Sequence, residues 1–151
     1  MPDQQHIREE VDQLIQICRD GEEAYREGAE QAKAFELKRL LTQISVDRAK
    51  FAAELEREGA RWGRNVVERT GTAGGAVRRG WTDLKVDLGG GDDAILSAVE
   101  SSDEFARKRY DEAIKDKETP DELVGILRNQ AQAIVGTLDR IRALRQHRKA
   151  A

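Results

Sequence analysis

The chain has 151 residues, of which 36% are charged and 5% aromatic, and its formal net charge is −3. That length allows one domain with a real core, and a composition rich in Ala, Leu, Glu, Arg and Lys with only two prolines suits long helices. The mild charge gives no whole-molecule attraction to nucleic acid or an anionic membrane, and a lone cysteine, Cys18, excludes an intramolecular disulfide.

Apolar residues recur at helical spacing in four blocks. Ile7, Val11, Leu14, Cys18, Tyr25, Ala29 and Ala32 form one stripe with a gap at position 22, and predict a helix over about 4–33. Asp3 stands where its N-cap belongs. Leu37, Leu41, Ile44, Phe51, Leu55 and Trp62 predict a second helix over about 36–62. The junction at Lys33-Ala34-Phe35 is so short that these two must form an antiparallel hairpin. Leu96, Val99, Ala106 and Tyr110 predict a third helix over about 92–116, with Asp92 as its N-cap after three glycines. Leu123, Leu127, Ile134, Leu138, Ile141 and Leu144 predict a fourth over about 120–147, with Pro120 at its first position and Asp121 and Glu122 in its first turn.

The stretch 63–91 breaks this pattern. It is rich in glycine, and inside it residues 76–88 read as a short amphipathic helix showing Val77, Trp81, Leu84 and Leu88. Bundle neighbours joined up-and-down need a connection of about 2–8 residues, and this one has nearly thirty. A helix of about 27 residues is about 40 Å long, and this segment is long enough to return along it. The expected architecture is therefore all-α: one domain over 1–151, a ferritin-like four-helix bundle of two antiparallel hairpins joined by a long crossover with a short helix.

Charge interrupts the buried stripes near mid-length. Glu22 falls between Cys18 and Tyr25, Asp47 and Arg48 between Ile44 and Phe51, Asp103 between Val99 and Ala106 with Glu100 a turn away, and Gln130 between Leu127 and Ile134. Buried charge must be paired or bound to a cation. Either Glu22, Asp47, Glu100 and Asp103 hold a metal, or Arg48 neutralises Glu22 or Glu100 while Gln130 completes a hydrogen-bonded layer. A di-metal bundle asks for Glu-x-x-His on two helices. No such motif occurs here, and the only histidines are His6 and His147. With an arginine central in the second helix, the balance favours the structural network.

At these residues the sequence resembles a bacterial family of ferritin-like four-helix-bundle proteins of unknown function. The stretches that carry the resemblance are Leu14 to Tyr25, Arg48 to Leu55, Arg79 to Lys85 and Gly90 to Leu96, continuing to Glu100 and Tyr110. The resemblance implies the ferritin-like fold with its crossover and a stress-associated or uncharacterised role. It also implies a histidine near position 138, where this chain has leucine.

Other signals are weaker. Thr70 to Gly75 lacks the Gly-Lys-Ser/Thr ending of a phosphate loop. His6 with Glu9 or Glu10 has the spacing of a surface metal pair at a helix end that would fray. Cys18 reads as a buried, inert side chain. Arg57, Arg61 and Arg64 and the group Arg140, Arg142, Arg145, Arg148 and Lys149 would form one basic patch only in an up-down bundle; the crossover puts them at opposite ends. The N-terminus has neither the basic nor the apolar region of a signal peptide, and no apolar run reaches the roughly 18–20 residues of a membrane span. The expectation is a cytoplasmic, non-catalytic, self-associating interaction or stress-associated protein, with no membrane and no nucleic-acid partner. The alternatives are an iron- or manganese-binding protein using Glu22, Glu100 and Asp103, and a weak nucleic-acid binder.

Overall fold

The computed structural model describes residues 3–63 and 91–150. Among these the chain is all-α, with α1 over Gln4–Gln31, α2 over Phe35–Ala60, α3 over Asp92–Lys115 and α4 over Asp121–Ala150, and no strand. The crossover expected over 63–91, with the short helix 76–88 and Trp81, lies outside the described residues except for its ends, Gly63 and Gly91.

Local chemistry sets the helix ends. The Asp3 carboxylate accepts from the Gln5 and His6 N–H groups at 3.0 and 3.5 Å, starting α1. α1 stops at Gln31, two residues before its expected end, because Ala32 and Ala34 are extended and residues 32–34 make the turn. Pro120 stands one position outside α4, as the residue whose carbonyl accepts the first helical bond, from Val124 N–H at 2.9 Å.

Asp92 does not have the role its position predicts. Gly91 is the N-cap of α3, and Asp92 is the first helical residue. Its buried carboxylate is turned away from its own helix and accepts from Lys33 N–H at 2.8 Å and Ala34 N–H at 3.1 Å. The α2 N-cap, Ala34, has no capping side chain. Asp92 thus places a carboxylate from α3 at the α1–α2 turn, beside a helix start whose own N-cap has no capping side chain.

α1 packs closely on α2 and also on α3, and α4 packs on α3 and more lightly on α2. Contacts at the ends fix what meets what. Asp92 ties the start of α3 to the α1–α2 turn. His6 Nε2 lies 2.6 Å from Asp116 Oδ2, joining the start of α1 to the end of α3. Arg61 reaches Glu122 at 2.7 Å, joining the end of α2 to the start of α4, and Arg148 reaches Asp93 at 2.7 Å, joining the end of α4 to the start of α3.

The buried apolar side chains divide into two clusters. One contains Ile7, Val11, Leu14, Cys18, Leu55, Tyr110, Leu127, Ile134 and Leu138 among others. The other is built around Tyr25, Leu37, Leu41, Ile44, Leu96, Val99 and Ile141. Along α1 the division falls between Cys18 and Tyr25, along α2 between Ile44 and Ala52, and along α3 between Val99 and Ala106. That is the level at which charge interrupts the stripes. No described helix is long and apolar enough to cross a membrane.

The turn formed by residues 32–34 depends on Asp92. Two hydrogen bonds to a charged acceptor contribute about 2–3 kcal/mol net, so Asp92→Ala should lower the melting temperature by about 5–10 °C. Asp92→Asn, which keeps one acceptor oxygen, should lose less. Thermal unfolding followed by circular dichroism checks both.

Candidate functional site

The division between the two clusters holds a buried ion pair. Arg48 of α2 and Asp103 of α3 have side chains 3% and 1% exposed and meet as two parallel hydrogen bonds, Nη1 to Oδ1 at 2.5 Å and Nη2 to Oδ2 at 2.9 Å. This two-pronged geometry is the strongest available to a guanidinium and a carboxylate. Tyr25 of α1 completes the group. Its hydroxyl donates to Asp103 Oδ2 at 2.5 Å, and its ring lies 5.3 Å from the Arg48 guanidinium carbon. Burial opposes the charge on Arg48, but Asp103 more than offsets this and raises the Arg48 pKa. Burial, and then the Asp103 charge, hold the Tyr25 hydroxyl well above the usual phenol range.

A second chain of hydrogen bonds runs beside the pair and joins all four helices. Gln130 Nε2 of α4 donates to Glu54 Oε1 of α2 at 2.7 Å and approaches the Phe51 carbonyl at 3.3 Å. Tyr110 of α3 donates to Gln130 Oε1 at 2.6 Å. Since that bond uses the one phenol proton, the Cys18 thiol of α1, 3.0 Å from the Tyr110 oxygen, is the donor there. Burial pushes the Cys18 thiol up to about 11 and the Tyr110 hydroxyl well above its ordinary range. Cys18 is therefore a protonated, buried thiol at neutral pH and a poor nucleophile.

Of the six polar positions singled out by spacing, the structure buries Arg48, Asp103 and Gln130. Glu22 was expected to face inward and does not. Its carboxylate is paired with Arg19 at 3.0 Å and is a third exposed. The stripe steps from Cys18 to Gly21 to Tyr25, so position 21 faces the interior at this level. A Cβ at Gly21 would stand 3.6 Å from Arg48 Nη1. That is an ordinary van der Waals distance, so the Arg48 arm packs directly against α1 at Gly21. Asp47 points out and accepts from Gln43 at 3.1 Å. Glu100 lies on the α3–α4 seam, with Arg145 at 2.5 Å and Arg142 at 3.5 Å. The expectation that Arg48 neutralises Glu22 or Glu100 is thus corrected: its partner is Asp103, and Glu22 and Glu100 are claimed by other arginines.

Sequence reasoning missed Tyr25, Tyr110, Cys18 and Glu54. On a helical stripe Tyr25, Tyr110 and Cys18 count as apolar positions. The available signal was that a tyrosine on a fully buried stripe needs a partner for its hydroxyl. The arginines of α2 and α4 are separated. Arg61 lies at the α2–α4 end, and Arg142, Arg145 and Arg148 pair along α3 with Glu100, Glu104 and Asp93. Arg64 lies outside the described residues.

Residues 6–116 match a family model described as a domain of unknown function, DUF2383. The match takes in most of the chain, which therefore belongs to that family. It contains Cys18, Tyr25, Arg48, Asp103 and Tyr110 and leaves Gln130 of α4 outside. No curated protein matches the sequence.

Removing one partner of a buried ion pair costs about 3–5 kcal/mol, whereas replacing both with apolar side chains of similar volume can be nearly neutral. Arg48→Met and Asp103→Leu should each lower the urea midpoint strongly, and the double variant should recover much of the sum of the two losses. Alkaline stability tests both groups. Cys18, Tyr25 and Tyr110 all hold their protons to higher pH when folded. Their contribution is complete below the ordinary thiol and phenol ranges and is lost as pH rises from there toward their raised folded values, so the midpoint should fall from about pH 9 upward. Cys18→Ala should remove part of that fall.

Proposed function

We propose that this chain is one ferritin-like bundle that works as a non-catalytic interaction protein, with its polar mid-section serving structure. The arrangement of the ends supports the ferritin-like reading. α2 ends beside the start of α4, and α3 starts beside the α1–α2 turn. A chain that leaves at one end and re-enters at the other needs one long return, as in bundles of two hairpins joined by a crossover.

The observation that carries the structural reading is the Arg48–Asp103 pair. A guanidinium takes the central place that a bundle-core dication would need, and it uses both oxygens of Asp103. Glu22 and Glu100, the other carboxylates of a core metal set, are bound to Arg19 and to Arg142 and Arg145. In a low-dielectric interior, such a pair favours one register of α2 against α3 without supplying a reacting group.

Self-association is supported by the outer face of α2. Phe35 is 70% exposed and Val46 45% exposed, and their eleven-residue separation (three helical turns) puts them on one face. The occupant proposed for that face is a second copy of the chain.

Size-exclusion chromatography with light scattering tests the reading. The wild-type protein should associate at tens of micromolar, Phe35→Asp and Val46→Asp should shift it toward monomer, and the Arg48→Met/Asp103→Leu variant should associate as wild type does. A wild-type monomer at several hundred micromolar would overturn the association.

A further inference from the structure

At the end of the bundle where α1 begins and α3 stops, three ligand-bearing side chains converge. His6 and Glu10 stand one turn apart on α1, and Asp116 caps the C-terminus of α3. One ligand atom from each lies within 4.8 Å of the other two, the only such group of three among the described residues. All three are partly buried. We propose that His6, Glu10 and Asp116 form a binding site for a divalent first-row transition-metal ion.

The surroundings point to a cation. The three residues line a cleft of about 230 Å³ whose lining also includes Glu9 and Glu112, with Arg109 as its fixed positive charge. Arg109 is itself engaged by Glu112 at 2.6 Å and by Gln13. Glu118 Oε2 lies 3.5 Å from His6 Nε2, outside the group of three but adding negative charge at its rim.

The carboxylates are also held from behind. Asp116 Oδ1 accepts from Glu118 N–H at 2.9 Å, leaving Oδ2 turned to the imidazole. Thr119 is buried, and its hydroxyl oxygen lies 2.8 Å from both Glu10 Oε2 and the Ala113 carbonyl. One hydroxyl proton serves one of these two acceptors. When it serves Ala113, the Glu10 oxygen is left against an oxygen lone pair, a contact that a neighbouring cation relieves. Orienting bonds of this kind behind metal ligands typically matter by about 10–100-fold in affinity.

Ligand atoms around a tetrahedral ion at about 2.0–2.2 Å stand about 3.4 Å apart. The His6–Asp116 contact at 2.6 Å therefore opens as the ion enters and takes the place of the bridging proton, which leaves to solvent. An imidazole with two carboxylates suits Zn²⁺ above Mn²⁺ and does not suit Mg²⁺. The site lies at the opposite end of α1 from the α2 face discussed above, so neither reading depends on the other.

Isothermal titration of Zn²⁺, Mn²⁺ and Mg²⁺ into tag-free, chelator-treated full-length protein tests the proposal. The expected result is one Zn²⁺ per chain, weaker Mn²⁺ binding, no Mg²⁺ binding, and a higher melting temperature with Zn²⁺. His6→Gln, Glu10→Gln and Asp116→Asn, each checked for wild-type helicity, should weaken Zn²⁺ by about tenfold or more. His147→Gln should leave it unchanged. Absence of one-to-one Zn²⁺ binding, its persistence in Asp116→Asn and Glu10→Gln, or its loss in His147→Gln would overturn the site.

Discussion

The structure depends most on the Arg48–Asp103 pair. Taking two charges out of water costs several kcal/mol per ion, and mutual attraction repays it only when every lone pair and proton is satisfied. Here both Asp103 oxygens accept from the guanidinium, and Tyr25 donates to one of them. The arrangement exists in one alignment of α1, α2 and α3. Sliding any of these helices by a turn would set a charge against hydrocarbon. The pair is thus a constraint on register more than a source of net stability.

The rest of the interior follows from that constraint. The hydrophobic core is cut into two clusters, one on each side of the pair. Gly21 lies beside Arg48, and the guanidinium arm packs against α1 there. The Cys18–Tyr110–Gln130–Glu54 chain brings α4 into the same layer through Gln130, which the α1–α2–α3 pair does not reach. A bundle of smooth apolar stripes would tolerate slips of its helices, and the two polar systems together make each slip costly.

Charges outside the core act on the seams and ends. α3 and α4 are laced by Arg142, Arg145 and Arg148 against Glu104, Glu100 and Asp93, an antiparallel match in which rising numbers on one helix meet falling numbers on the other. Most of these pairs are exposed and individually weak. They use three of the basic residues that, read along the chain, look like a cluster free to bind an anion. Asp92 has the same lesson in a buried setting. Its sequence neighbours assign it to its own helix, and its hydrogen bonds go to a turn some sixty residues earlier.

The sequence by itself determined the four helices of the described chain, their apolar stripes and the burial of Arg48, Asp103 and Gln130. Periodicity and end signals are local, and a helix with one apolar face has only that face to bury. It also determined that a central charge needed a partner. Which partner was decided only by tertiary structure. Glu22 and Asp103 both interrupt a stripe at a plausible step, and the difference is a single residue of helical phase, since the interior of α1 at that level belongs to Gly21. The hydroxyl and thiol network was equally hidden, because tyrosine and cysteine on a stripe read as apolar until their polar atoms are seen to meet. The His6, Glu10 and Asp116 cluster joins residues more than a hundred positions apart. One-dimensional spacing marks only its first two members, and the packing of α1 against α3 supplies the third.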